Sequence, residues 1–116
     1  MSSSSFEQGD IIVAVLPFSD QNGMKRRPAL VMSGTKYNKS SSDIVLLPIT
    51  SKKNAGRYIA NLSGGDVVEG HLKVESQIKA GSPVSFYTEL VEGKIGKISA
   101  RKLAEVKKIT SELYDL

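Results

Sequence analysis

The sequence predicts a mostly β domain: a small, strongly bent sheet or barrel of short strands, with one amphipathic helix packed against it at the C-terminal end. Three observations carry this expectation. Short runs rich in β-branched residues, bounded by glycine, proline or polar clusters, follow one another up to Lys79. The apolar spacing turns helical only after Ser99. The chain's 116 residues suffice for one hydrophobic core but not for two.

The elements can be justified in order. MSSSSFEQ opens with a low-complexity serine run and reads as a disordered tail over residues 1–8, which places the single domain at 9–116. GDIIVAVLPF (9–18) is apolar at successive positions, as a short strand buried on both faces would be. SDQNGMKRR (19–27) mixes turn formers with charge and reads as an exposed loop. PALVMSG (28–34) makes a second strand, with Pro28 at its first position, where a missing N–H costs least. TKYNKSSSD is a polar connection to DIVLLPIT (43–50), a third strand that is again apolar on both faces. RYIANL (57–62) is a weaker fourth strand, followed by the turn-like SGGD. HLKVESQIK (71–79) alternates, with Leu72, Val74 and Ile78 on one side and His71, Lys73, Glu75, Gln77 and Lys79 on the other. From Ser99, a good N-cap, Leu103, Val106, Ile109 and Leu113 recur at helical spacing, with Arg101, Lys102, Lys107 and Lys108 on the surface.

Composition narrows the chemistry. With no cysteine, disulfides, thiolate metal sites and a cysteine nucleophile are excluded. His71 is the only histidine, which removes two-histidine metal sites and a paired-histidine scheme for RNA cleavage; a lone histidine on a strand face reads first as structural or simply exposed. There is no GxxxxGK[ST] phosphate loop and no dinucleotide-binding glycine pattern. No apolar run approaches the roughly 20 residues of a membrane span, and the N-terminus lacks the apolar stretch of a signal peptide, so a cytoplasmic location without membrane contact is expected. The net charge of +4 favours an acidic partner such as nucleic acid.

What remains is a set of cations and hydroxyls at strand ends. Arg26 and Arg27 close the first loop, and Thr50, Ser51 and Lys52 end the third strand. An arginine fork matches two phosphate oxygens at once, and hydroxyls add neutral donors. If the second and third strands are neighbours, the two groups meet over one rim; ordinary solvated strand ends are the plain alternative.

GDIIVAVLPFSDQNGMKRRPALVMSG, followed by DIVLLPITSK, closely resembles the PemK/MazF family, toxins of type II toxin–antitoxin modules. Members begin with a Gly-Asp strand, often carry a PFTD-like loop, continue with RPALV and then show a strand ending in ITS or ITT. VESQIK is similar to the family's [DS]-[QK]-[IL]-[RK] strand, and IGKISARKLAEV to the IGxLS that leads into its last helix. The resemblance spans residues 9–113. It implies an SH3-like β-barrel of about five to seven short strands with a C-terminal amphipathic helix. It also implies a homodimer that acts as a metal-independent endoribonuclease without a cofactor, cuts single-stranded RNA at short sequences, and is blocked by an acidic cognate antitoxin.

Carried onto this chain, the resemblance gives Arg27, the arginine before proline, and Thr50, the threonine ending the third strand, as catalytic positions. Lys25, Arg26, Lys52 and Lys79 would track the RNA backbone, with Ser51 and Gln77 as further RNA-binding residues. Some members have an acidic residue just before the glutamine of the later strand, where this chain has Ser76, with Glu75 one step earlier. Glu75 and Asp20 are therefore the acid/base candidates, and no proton acceptor is assigned, since an arginine stays charged at neutral pH. The alternative is a non-catalytic barrel, either a CcdB-like gyrase-binding toxin or a nucleic-acid binder, because fold does not fix function. The joint presence of RRP and ITS favours the ribonuclease.

Overall fold

The computed structural model describes residues 5–17, 23–53 and 56–116. Among these, eight strands and two α-helices follow one another: β1 (Asp10–Pro17), β2 (Met24–Val31), α1 (Thr35–Lys39), β3 (Asp43–Thr50), β4 (Ile59–Leu62), β5 (Val67–Gly70), β6 (Ser76–Lys79), β7 (Val84–Tyr87), β8 (Gly93–Ile98) and α2 (Ala100–Tyr114). The strands form one curled antiparallel sheet in the order β4-β6-β3-β2-β1-β8-β5, with β7 also paired to β3. The mostly β architecture with a C-terminal helix is the one expected; the strand number rises from five to seven to eight because β5, β7 and β8 are short and interrupted by glycine, proline and charge.

Both faces of the central sheet are buried, which is why its strands carry successive apolar residues. On one side Ile11, Leu30, Leu47 and Ile49 meet Leu62, Ile78, Ile98 and the helix residue Val106. On the other, Ile12, Ala14, Leu16, Ala29, Val31, Ile44 and Leu46 pack with Phe6, Phe86 and Val91. The α2 helix begins as its sequence dictates: the Ser99 hydroxyl accepts the Lys102 backbone N–H at 3.1 Å, and Leu103 and Ile109 pack beside Val106. Lys102, expected on the surface, is only 9% exposed. Its ammonium reaches Glu105 at 2.8 Å and Asp66 at 3.8 Å.

Three further expectations change. Phe6, Glu7 and Gln8, assigned to the tail, belong to the folded body: Gln8 donates to the Thr35 hydroxyl and the Met32 carbonyl, and the Phe6 carbonyl accepts from buried Asn38. Lys25, Arg26 and Arg27 lie within β2 rather than in a loop, because the β1–β2 ladder runs on through Ala14–Arg27, Val15–Arg26 and Leu16–Lys25 to Pro17–Met24. Charge at the far end of a hairpin is compatible with pairing, since the ladder uses only the backbone. Residues 71–75 are irregular, and of HLKVESQIK only Ser76–Lys79 is strand. Val74, expected to face the core, is 60% exposed. Alternation alone does not distinguish a paired strand from an extended connection.

β3 is the hub. Its residues Asp43–Leu46 pair with β7 and Ile49–Thr50 with β6 on one edge, while Leu46–Pro48 pair with β2 on the other. Ile78 stands opposite Ile49 and Val84 opposite Leu46, so six steps along one chain match three along β3. The surplus is extruded between β6 and β7, where Ala80 tucks into the core.

Candidate functional site

A cavity of about 500 Å³ opens where β2 and β3 part. Its origin is local. The β2–β3 ladder ends at Ala29–Pro48: Pro48 and the adjacent Pro28 have no N–H to give, so the backbone pairing has nothing to continue with. Beyond that point β3 stays paired only on its other edge, to β6. The ends of β2 and β3, carrying Lys25, Arg26 and Arg27 on one side and Thr50 and Ser51 on the other, therefore flank a gap rather than close it. Ile11, Ile49 and Leu62 line it with core side chains.

The third wall comes from residues 71–75, which supply His71, Leu72, Lys73 and Val74. Two glycines set their path. Gly70 has φ +81°, and a Cβ there would lie 2.1 Å from the Ile95 carbonyl oxygen. Gly96, its partner in the β5–β8 ladder, would place a Cβ 2.6 Å from the Glu69 carbonyl. Only glycine permits this approach, and it turns the chain off β5 toward the cavity. Ile95 is left without a partner by the bulge between Ile11–Gly96 and Ile12–Lys94 and contributes to the rim.

Five of the residues singled out in the sequence meet here: Lys25, Arg26, Arg27, Thr50 and Ser51. The Thr50 Oγ1 accepts the Lys52 backbone N–H at 3.1 Å, which occupies one lone pair and leaves the hydroxyl proton to be donated elsewhere. Arg26 is committed to an ion pair with Glu92, with Nη2 and Oε2 3.4 Å apart in addition to a shorter Nε contact. Hydrogen bonding to that carboxylate raises the Arg26 pKa, and the same bond lowers that of Glu92. Arg26, expected to be an open phosphate contact, already has an anionic partner.

Lys52, Gln77, Lys79 and Glu75 do not line the cavity. Gln77 pairs with Thr50 along β3–β6 and its side-chain amide donates to Asn61 at 3.3 Å. Lys79 stands opposite Ile59, further along β6. Glu75 is exposed beside Ser76, and it is Ser76 that reaches the lining. Asp20 lies outside the described residues. The described lining thus holds four cations, Lys25, Arg26, Arg27 and Lys73, one histidine and no carboxylate. His71 and Lys73 were placed on a strand face by the sequence reading; the signal of their true position is Gly70 directly before them.

The fold recurs in known proteins. The computed fold superposes on an endoribonuclease from a mycobacterial species with a TM-score of 0.78, at 11% identity over 100% of this chain and 97% of that one. A chain of the MazE–MazF structure from Deinococcus radiodurans gives a TM-score of 0.76, at 24% identity over 97% of this chain and 99% of that one. The Mycobacterium tuberculosis toxin MazF-mt6 gives 0.70, at 15% identity over 90% and 97%. At such identities the likeness shows the fold. No match was found among curated proteins. Residues 7–113, nearly the whole chain, match the family described as the PemK-like, MazF-like toxin of type II toxin–antitoxin systems, and the chain belongs to that family.

Proposed function

We propose that this chain is the toxin of a type II toxin–antitoxin module and acts as an endoribonuclease, cutting single-stranded RNA by attack of a 2′-hydroxyl on the adjacent phosphorus. The observation that carries this reading is the split between β2 and β3, which sets Arg27 and Thr50 on opposite lips of one cavity. Charge builds on the non-bridging phosphate oxygens as the new P–O bond forms. Arg27 meets it with a planar fork and Thr50 with its free hydroxyl proton; preorganised donors of this kind are worth about 3 kcal/mol each. Lys25 and Lys73 hold the backbone on either side, and Lys52 and Lys79 extend the cationic track beyond the cavity. The endoribonuclease among the structural neighbours is consistent with this chemistry.

The same cationic groove suits an acidic peptide that orders on binding, so the cognate antitoxin is expected to occupy it. Structural neighbours include toxins in complex with their antitoxins. A symmetric homodimer is the expected assembly. The test is to incubate purified protein with a long RNA in the presence of EDTA and map the ends produced. Cuts at a short recurring sequence that leave 2′,3′-cyclic phosphates support the reading; intact RNA sends the cavity back to the class of binding sites.

A further inference from the structure

Attack by a 2′-hydroxyl requires a group that takes its proton, and neither Arg27 nor Thr50 can do this at neutral pH. The described lining of the cavity holds no carboxylate, and Glu75 stands outside it. Four of its five ionisable groups are the cations Lys25, Arg26, Arg27 and Lys73. The fifth is His71. Imidazole is the one side chain that takes and returns a proton near neutrality without assistance. His71 is exposed and follows directly on Gly70, on a segment that lines the same cavity as the ends of β2 and β3.

We infer that His71 is the proton acceptor of the reaction, an assignment that rests on the ribonuclease reading above. The 2′-oxygen forms a bond to phosphorus while its proton passes to the imidazole. The bond from phosphorus to the 5′-oxygen breaks, leaving a 2′,3′-cyclic phosphate. The departing 5′-oxygen takes a proton from water at the open mouth, and the imidazolium returns its own proton to solvent. No proton is gained or lost over the cycle, and no further reactant is needed. Arg27 and Thr50 keep their place at the phosphate oxygens, so the histidine works on a different atom of the same substrate.

The test compares wild type, His71→Ala, His71→Gln and Arg27→Ala on one RNA, after each variant is shown to melt as wild type does. His71→Ala should lose on the order of a hundredfold in kcat, while binding an uncleavable 2′-deoxy oligonucleotide with unchanged Kd. Added imidazole should restore part of the rate to His71→Ala and none to Arg27→Ala. His71→Gln, which keeps a polar side chain but cannot accept the proton, should be as slow as His71→Ala. Wild-type turnover in either His71 variant overturns the assignment, as does a loss of kcat matched by an equal loss of oligonucleotide binding, or a slow His71→Ala that imidazole does not rescue. Loss of rate in Asp20→Asn together with full activity in His71→Ala overturns it in favour of the aspartate. A wild-type protein that leaves RNA intact overturns the ribonuclease reading itself, and is thereby distinguished from failure of the histidine alone.

Discussion

Two groups of cations in this molecule are built from the same residue types and have opposite surroundings. At the β1–β8 end, Lys94 and Lys97 converge on Asp10, whose side chain is 2% exposed, at 3.3 and 3.2 Å. Glu69 and Glu7 take up the remaining reach of the two ammonium groups, at 3.2 and 2.6 Å. Hydrogen bonds to those glutamates raise the pKa of both lysines. At the cavity, four cations share a described lining without a carboxylate, and Arg26 reaches outside it to Glu92. A compensated cluster fastens the fold. Cations gathered around a space whose described lining holds no carboxylate are suited to receive an anion.

The contrast is broken most directly by exchanging the roles in experiment. Arg27→Ala should lower turnover by roughly a hundredfold or more at an unchanged melting temperature, and Thr50→Ala should do likewise; steady-state kinetics beside a melting curve separates the two readouts. Asp10→Ala should do the reverse. It removes the buried carboxylate shared by Lys94 and Lys97, which keep only Glu69 and Glu7, and strands the Glu7 backbone N–H, which donates to Asp10 at 2.9 Å. Stability should fall by about 2 kcal/mol in denaturant unfolding, with activity per folded molecule retained.

Smaller changes sharpen the comparison. Lys25→Ala should chiefly raise the apparent KM and reduce the salt slope of RNA binding by about one unit, with kcat nearly intact. Glu7 is the mildest case. Its pKa is lowered from 4.5, first by the hydrogen bond from Lys97. Its contribution to stability is therefore complete above that value and is lost as pH falls through the lowered one. The Lys97 pKa is raised from 10.5, so its contribution is complete below that value and is lost as pH rises through the raised one. The gap in melting temperature between wild type and Glu7→Gln should be constant around neutrality and close at both extremes. A gap that persists in strong acid would mean that packing, not charge, holds Glu7.

Where sequence and structure agree, a single physical signal was unopposed. DIVLLPIT is β3 residue for residue, because it is apolar on both faces and bounded by polar runs. Ser99 caps α2 because a hydroxyl at that position has one dominant use. Arg26, Arg27, Thr50 and Ser51 share one lining, as expected if the second and third strands are neighbours, whereas Lys52, expected with them, lies outside it. The remainder needed pairing partners. Lys25, Arg26 and Arg27 read as loop because charge outweighed the hairpin ladder that continues beneath them. Arg26 looked like an open phosphate contact because its partner, Glu92, is distant in sequence. Residues 71–75 read as strand because alternation is blind to Gly70, whose positive φ ends the pairing and brings His71 and Lys73 to the cavity.

The extrusion between β6 and β7 also divides the sheet by cooperativity. β4 and β6 are joined to β3 through Ile49–Ile78 and Thr50–Gln77, whereas β1 and β2 share seven paired positions from Ile11–Leu30 to Pro17–Met24. The β4–β6 pair therefore has the shorter ladder to the rest of the sheet and is expected to open locally before β1 and β2 do. In amide hydrogen exchange, Ala60 and Ile78 should give up protection before Ile12 and Leu30. Because Thr50 pairs with Gln77 on β6, a ligand that fills the cavity should slow exchange there first, giving a label-free measure of occupancy that requires no cleavage.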